Sequence, residues 1–186
     1  YDYFKSAKER HDLPGELESR ISRGSQTPEW LWANFHDRTH YDTVYIAATA
    51  MTYHLGVVEP NADEKTSHQK KYSFQLQVHN LVNVWADPPE GANPVLDENR
   101  EYDHIIPARL MADEALRIAE DYPNKRVIIH LVEPHDPYLE TETGKKIHEV
   151  SKHPWQDRLN GDIDVSIECL RQAYRENVDI GFEGVK

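Results

Sequence analysis

The segment Arg126-Val-Ile-Ile-His-Leu-Val-Glu-Pro-His-Asp-Pro-Tyr138 decides the predicted fold of this chain. Its apolar run, Val127 to Val132, lacks polar alternation, which is typical of a strand that is buried on both faces of a parallel sheet. Polar side chains follow the run at once: Glu133, His135, Asp136 and Tyr138. Because ligands bind outside the carboxyl ends of such strands, we expect these side chains to contact a substrate. A proline-rich turn whose polar residues only face water would give the same pattern.

Length and charge limit the class of protein. A chain of 186 residues suits one domain with a sizeable core. Lys and Arg number 21 against 33 Asp and Glu, which gives a net charge of −12 spread along the whole sequence. Such a surface disfavours binding to nucleic acids and to anionic membranes. It fits a halophilic source, where salt screens the self-repulsion, although ordinary acidic cytosolic proteins have similar compositions.

Cysteine content and hydropathy exclude further classes. The single cysteine, Cys169, rules out an internal disulfide and a cysteine-rich metal site. No stretch reaches the length of a membrane span and no signal peptide is visible, so a cytoplasmic location is expected. The sequence opens on Tyr1 rather than Met, and we expect it to be part of a longer protein.

Helices and strands alternate along the sequence, which predicts an α/β fold. Strands are predicted at 43–47, within 74–85 and at 127–132, and residues 57–73 are predicted as a polar surface excursion. Helices are predicted from Thr27, from Pro107 to residue 121, and from near Asp164. We expect the strands at 44–47 and 127–132 to run parallel in one sheet, covered by the 107–121 helix. A sheet of three strands is thin, which suggests part of a larger domain.

Two hydroxyl residues near the start of the first predicted core helix are candidate nucleophiles. Ser25 and Thr27 lie where unpaired backbone N–H groups and the helix dipole favour a phosphate or sulfate ester. Arg23 could add a fork of hydrogen-bond donors to the same anion. The simpler alternative is that Thr27 is the N-cap, with Pro28 at the first helical position, and that Ser25 is a loop residue.

The sequence contains eleven histidines, which are common metal ligands. His36 and His40 have the spacing of two ligands on one helical face, but the helix is expected to end between them. His130 lies inside the apolar strand and is expected to point into the core. The metal ligands are therefore left unassigned. The sequence contains no phosphate-binding loop, no GxGxxG and no GxSxG, so nucleotide binding and serine-hydrolase chemistry gain no support.

Several segments, taken in order, resemble one known family. They are Ser22-Arg-Gly-Ser-Gln-Thr-Pro-Glu-Trp30, Asp42-Thr-Val-Tyr45 and Ile129-His-Leu-Val-Glu-Pro-His-Asp-Pro-Tyr138. These resemble the sulfatase-like proteins of haloarchaea, which belong to the alkaline phosphatase superfamily. The opening Tyr1-Asp-Tyr-Phe4 resembles the segment after that family's first metal-binding aspartate. The closing Ala173-Tyr-Arg-Glu-Asn177 resembles the helix before its Asp-His-Gly metal motif.

The resemblance implies a fold and an activity. The fold would be a three-layer α/β/α arrangement with a mainly parallel sheet, similar to alkaline phosphatase. Residues 1–186 would form a single domain that is the central part of a larger catalytic domain. The activity would be hydrolysis of sulfate or phosphate esters, carbohydrate esters among them, with one or two divalent metals such as Zn, Mn, Mg or Ca. Ser25 or Thr27 matches the family's nucleophile region, and His135 matches the substrate-side histidine of its His-x-Pro segment.

The sequence also departs from the family pattern. It contains no Asp-His-Gly motif, the expected first aspartate would precede residue 1, and no Cys-x-Pro-x-Arg segment is present for conversion to formylglycine. The metal ligands are therefore expected mostly outside this chain, and the chain alone is expected to be inactive. The competing hypothesis is a non-catalytic homologue that acts in binding or assembly of surface polysaccharide. The sequence leaves the substrate, the metal and the oligomeric state open.

Overall fold

The computed structural model describes residues 2–25, 27–52, 75–94, 104–138 and 140–186. Within these ranges the strands are β1 (His40–Ala47), β2 (Val78–Asn83), β3 (Asn93–Pro94), β4 (His104–Ile105) and β5 (Arg126–His130), and Val84–Ala86 forms a short 3-10 helix. The α-helices are α1 (Asp2–Arg10), α2 (Thr27–Phe35), α3 (Ala108–Asp121), α4 (Glu142–Val150), α5 (Pro154–Asn160) and α6 (Ile167–Gly184). The predicted polar excursion at 57–73 lies outside the described residues.

The main sheet is parallel and has β1 at its centre. Its strand order is β2–β1–β5, while β3 and β4 form a separate antiparallel pair. Thr43 through Ala47 pair in parallel with Arg126 through His130, which confirms the predicted arrangement of these two segments. On its other side β1 pairs in parallel with β2. All three carboxyl ends therefore meet at one edge of the sheet.

Alternate residues of β1 hold a helix on each face of the sheet. Val44 and Ile46 pack with side chains of α3, including Met111, in one apolar cluster. Tyr45 and Ala47 pack with side chains of α2, including Leu31, in another. Each of these β1 side chains is at most 1% exposed, and full burial of a large apolar side chain contributes about 1.5–3 kcal/mol. The described chain is thus an α/β protein, and α3 covers the sheet as predicted.

The burial of β5 differs from the prediction. Its apolar residues Val127 to Ile129 are only partly buried, whereas β1 is the strand that is buried on both faces. The reason is position: within the described residues β5 pairs with β1 alone and lies at an edge of the sheet. The strand also ends at His130, so that Leu131 and Val132 already belong to the connection that follows. An apolar run without alternation therefore did not identify the central strand.

Helix boundaries lie within a few residues of the predicted ones. Pro107 is the N-cap of α3, and the helix itself begins at Ala108. Helix α6 begins at Ile167 rather than near Asp164, because Ser166 supplies the cap and accepts a hydrogen bond from the backbone N–H of Cys169. Helix α2 includes Thr27, which was predicted as its N-cap. The differences at Pro107 and Thr27 are one residue each, which is usual at helix ends.

A third apolar cluster joins the C-terminal helices. Tyr138, Ile147, Leu170 and Ala173 form its buried part. Helix α4 approaches the backbone closely at Gly144, where an added Cβ would lie 1.9 Å from the carbonyl oxygen of Tyr138. Helix α6, 18 residues long, carries charged residues along its exposed side. Within the part of the chain that the structure describes, no helix combines the length and apolar character needed to cross a bilayer.

Asp179 of α6 fastens the N-terminal helix to the rest of the fold. Its carboxylate accepts hydrogen bonds from the Tyr3 hydroxyl at 2.5 Å and from the Arg10 guanidinium at 2.7 Å. The His11 ring lies 2.9 Å from the same carboxylate. Partial burial alone would raise the pKa of Asp179, but the hydrogen bonds from these three side chains outweigh it and hold the pKa below the ordinary value of 3.8.

Asp179→Asn should destabilise the protein in a pH-dependent way. A lowered folded pKa gives stabilisation that is fully present above pH 3.8 and is lost as pH falls through the folded pKa. At pH 6 we expect a loss of about 1 kcal/mol, because the charged hydrogen bonds are partly screened by solvent. The loss should shrink towards pH 3. Urea unfolding of the wild type and of Asp179→Asn at several pH values measures this loss, and Glu183→Gln on the same helix is the control. A loss of stability that does not depend on pH would contradict the assignment.

Candidate functional site

Two adjoining cavities open at the carboxyl edge of the main sheet. The first has a volume of about 360 Å³, and its walls include Ser22, Gly24, Ser25, Tyr45 and Ile128. The second has a volume of about 240 Å³, and its walls include Thr49, Met51, Leu131, His135 and Asp136. Thr27 and His130 line both cavities. The edge predicted from parallel strand ends therefore carries a concave surface with several polar side chains.

The segment before α2 is held by hydrogen bonds within itself. Both the backbone N–H and the hydroxyl of Ser25 donate to Oε2 of Glu29, at 2.9 and 2.6 Å. Gly24 packs against the first turn of the helix, where an added Cβ would lie 2.3 Å from the backbone nitrogen of Trp30. Only glycine allows this close approach. The loop is thereby fixed beside the helix start, and the Ser25 hydroxyl is oriented by a carboxylate.

The sequence-predicted substrate residues are placed at different depths. Thr27 is half-buried and lies between the two cavities. Arg23 is exposed and lies between the lining residues Ser22 and Gly24, but among the described residues it lines neither cavity. His135 lines the second cavity with a side chain that is 79% exposed, and its Nδ1 lies 3.0 Å from the Asp136 carboxylate. The structure thus brings Thr27 and His135 to one cavity and leaves Arg23 outside the lining of both.

His130 is placed differently from its prediction. Its ring was expected to point into the core, but it lines both cavities at the end of β5. It is nevertheless partly buried, and its Nδ1 lies 3.0 Å from the hydroxyl of Tyr45 on the central strand. Burial lowers the pKa of His130 and raises that of Tyr45. Both groups are therefore neutral near pH 7, and the pair forms part of the cavity wall.

Two polar residues after β5 stabilise the fold instead of facing a ligand. The Glu133 carboxylate accepts a hydrogen bond from the backbone N–H of Ala108, at 2.9 Å, and so caps α3. Its second oxygen, Oε2, is buried without a partner among the described residues, and burial raises the pKa of Glu133. Tyr138 is 1% exposed and its hydroxyl accepts from Trp155 Nε1. The expectation that Glu133 and Tyr138 contact substrate is wrong, since helix capping and core packing occupy them.

Glu133→Gln should stabilise the protein at neutral pH. The amide oxygen can still accept from Ala108, but no carboxylate has to ionise in a buried place. Because the folded pKa lies above the ordinary 4.5, the wild type loses stability as pH rises from 4.5 to the folded pKa. The variant should therefore match the wild type at pH 4 and exceed it at pH 7. Denaturant unfolding at pH 4 and at pH 7 tests this, with the exposed Glu120→Gln as control. If Glu133→Gln changed the free energy of unfolding equally at the two pH values, the assignment would be wrong.

The predicted histidine spacing does not form a metal site on a helix. Helix α2 ends at Phe35, the His36 ring stacks on Trp32 with centroids 3.8 Å apart, and His40 begins β1. Across the ranges that the structure describes, no group of three or more His, Cys, Asp or Glu side chains is arranged to hold a metal ion. The described residues therefore do not fit the metal centre that the resemblance implies, and its ligands would have to come from elsewhere.

Two polar members of this site were missed in the sequence. The sequence pattern did not single out Glu29, although its position four residues after Ser25 places it within reach of that hydroxyl. Tyr45 was read only as a strand residue, and its pairing with His130 depends on the register between β1 and β5. The role of Glu29 could have been found from its spacing to Ser25. The role of Tyr45 could be found only once the pairing of β1 with β5 was known.

Comparisons with known proteins identify no relative of this chain. No family model matches the chain. No curated protein matches it, and neither does any solved structure. The two cavities and the side chains that line them are therefore the basis for a functional assignment.

Proposed function

We propose that this protein is a sulfatase-like hydrolase of sulfate or phosphate esters, with Ser25 as its nucleophile. The observation that carries the proposal is the hydrogen bond of 2.6 Å from the Ser25 hydroxyl to the Glu29 carboxylate, at the wall of a cavity of about 360 Å³. A hydroxyl next to a carboxylate that can accept its proton is the arrangement of an activated nucleophile. Thr27 remains the alternative, but no carboxylate contact supports it among the described residues.

The proposed reaction uses groups of this chain in defined roles. Ser25 Oγ attacks the sulfur or phosphorus atom of the ester while its proton passes to Glu29. The ester bond breaks as Glu29 gives this proton to the leaving oxygen, which departs as the alcohol. Glu29 then accepts a proton from a water molecule whose oxygen attacks the serine ester, and sulfate or phosphate is released as Ser25 Oγ regains a proton from Glu29. His130 and His135 lie on the walls where they could donate hydrogen bonds to ester oxygens, and Arg23 lies between the lining residues Ser22 and Gly24. Donors directed at developing negative charge are the usual source of rate enhancement in such transfers.

A divalent metal enters this proposal only through the family resemblance. In the related hydrolases such an ion would lower the pKa of the nucleophile and neutralise the transferring group. The described residues provide no ligand group for it. The steps assigned here therefore use Ser25, Glu29 and the histidines alone, and a Zn, Mn, Mg or Ca site is expected outside the described residues.

We also propose that the fold is the three-layer α/β/α arrangement of the alkaline phosphatase superfamily, within a larger catalytic domain. Support comes from the parallel pairing of β1 with both neighbours and from the helices on both faces of the sheet. A further support is the position of the candidate nucleophile, which lies beside a helix start at the carboxyl edge of the strands.

Replacement of the nucleophile should abolish turnover without unfolding the protein. For Ser25→Ala we expect a loss of at least about a thousandfold in kcat with 4-nitrophenyl sulfate or phosphate, because the attacking oxygen is removed. Glu29→Gln should lose about 10²–10⁴-fold as a general base. His135→Ala should have a smaller effect, mainly on KM. Steady-state kinetics of the full-length protein provides the measurement.

The matched control removes a helix cap that lines neither cavity. Ser166→Ala should cost about 1 kcal/mol of stability, out of a total of about 5–15, and should leave turnover unchanged. Normal turnover in both Ser25→Ala and Thr27→Ala would refute the catalytic assignment. A full-length protein that binds sulfated or phosphorylated carbohydrate but turns over no ester would instead identify a non-catalytic binding or assembly protein of surface polysaccharide.

A further inference from the structure

Tyr45 and His130 form a hydrogen-bonded pair between two neighbouring strands of the main sheet. Tyr45 lies on β1 and His130 ends β5, and their rings meet edge to face with centroids 6.0 Å apart. The Tyr45 hydroxyl lies 3.0 Å from His130 Nδ1. Tyr45 is 1% exposed and is held from the other side by an edge contact with Phe35. The position of the hydroxyl is therefore fixed by packing on both sides.

The direction of this hydrogen bond follows from the surroundings of the hydroxyl. The phenol of Tyr45 keeps its proton at neutral pH, because burial raises its pKa. His130 Nδ1 is its only hydrogen-bond partner among the described residues. If Nδ1 carried the ring proton, the buried tyrosine hydrogen would have no acceptor in that part of the chain, an arrangement that proteins avoid. The hydroxyl therefore donates to Nδ1, which leaves the proton of the neutral ring on Nε2.

This tautomer gives His130 a definite capability at the cavity wall. A ring with its proton on Nε2 offers that N–H as a hydrogen-bond donor, while Nδ1 is occupied by the tyrosine. Nε2 has no hydrogen-bond partner within the described ranges, and the ring lines both cavities. Burial lowers the pKa of His130, so the ring stays neutral and keeps the same donor across neutral pH.

We propose that Tyr45 is a positioning residue, which holds His130 in the tautomer that donates its Nε2–H to a sulfate or phosphate oxygen of the bound ester. The inference rests on the proposed function and deepens it, since it assigns the oxyanion contact to the partly buried His130. The exposed His135 was the histidine predicted from the sequence for substrate contact. Ser25 and Thr27 share the first cavity with His130, so one tetrahedral group there would lie between hydroxyls and the imidazole.

Tyr45→Phe removes the hydroxyl and keeps the ring, and Tyr41→Phe is the matched control. Tyr41 lies on the same strand but is 73% exposed. Nitrogen-15 NMR of histidine-labelled protein reports the tautomer, and His130→Gln identifies the signals of His130. We expect the wild type and Tyr41→Phe to carry the His130 proton on Nε2, and Tyr45→Phe to show a mixture of both tautomers.

Titration with inorganic phosphate and with sulfate then tests the donor role. Addition of either anion should shift the His130 Nε2 resonance in the wild type. Tyr45→Phe should weaken the anion's affinity about two- to tenfold, the equivalent of one hydrogen bond, whereas Tyr41→Phe should not. A merely structural pair would lower the melting temperature in Tyr45→Phe without changing the tautomer or the affinity.

Results that contradict this inference can be distinguished from results that contradict the proposed function. A wild-type proton on Nδ1, or the same tautomer in Tyr45→Phe, would overturn the inference. Anion binding that shifts the amides of residues 24–27 but not His130 would also overturn it, while leaving the proposed function in place. Anions that shift neither set of resonances would count against both.

Discussion

Backbone hydrogen bonds hold β1 between two parallel neighbours, and this pairing determines where the other elements lie. Residues Val44 to Ala47 are completely enclosed because strands flank them on both sides and helices cover both faces. Alternation along the strand then directs Val44 and Ile46 to α3 and Tyr45 and Ala47 to α2. If β1 slipped by one residue, each of these side chains would point to the opposite face of the sheet and would lose its contacts with its helix.

The candidate site is a consequence of the same pairing. Parallel strands bring their carboxyl ends to one edge, and His130 arrives there because it pairs with Ala47 at the end of β5. Helix α2 packs on the Tyr45 face, so the loop that carries Ser25 is held next to that tyrosine. Hydroxyl, carboxylate and imidazole groups thus meet although they are separated by about a hundred residues in the sequence.

Local patterns predicted much of this arrangement, and contacts between distant residues account for the rest. The helix from Thr27, the strand at 43–47 and the helix ending at Asp121 follow from capping residues and periodicity. The partial burial of β5 was missed because an apolar run does not reveal a strand's place in the sheet. The roles of Glu133, Tyr138 and His130 were also missed, since each depends on a partner from another element: Ala108, Trp155 and Tyr45.

A crystal structure of the protein with vanadate or sulfate bound would test the central claim most directly. The claim is that strand pairing places Ser25 and His130 around one anion site at the carboxyl edge of the sheet. We predict density for the anion in the first cavity, within hydrogen-bond distance of Ser25 Oγ and His130 Nε2. An anion bound elsewhere with this cavity filled by side chains, or residues 25 and 130 at opposite edges of the sheet, would contradict the account.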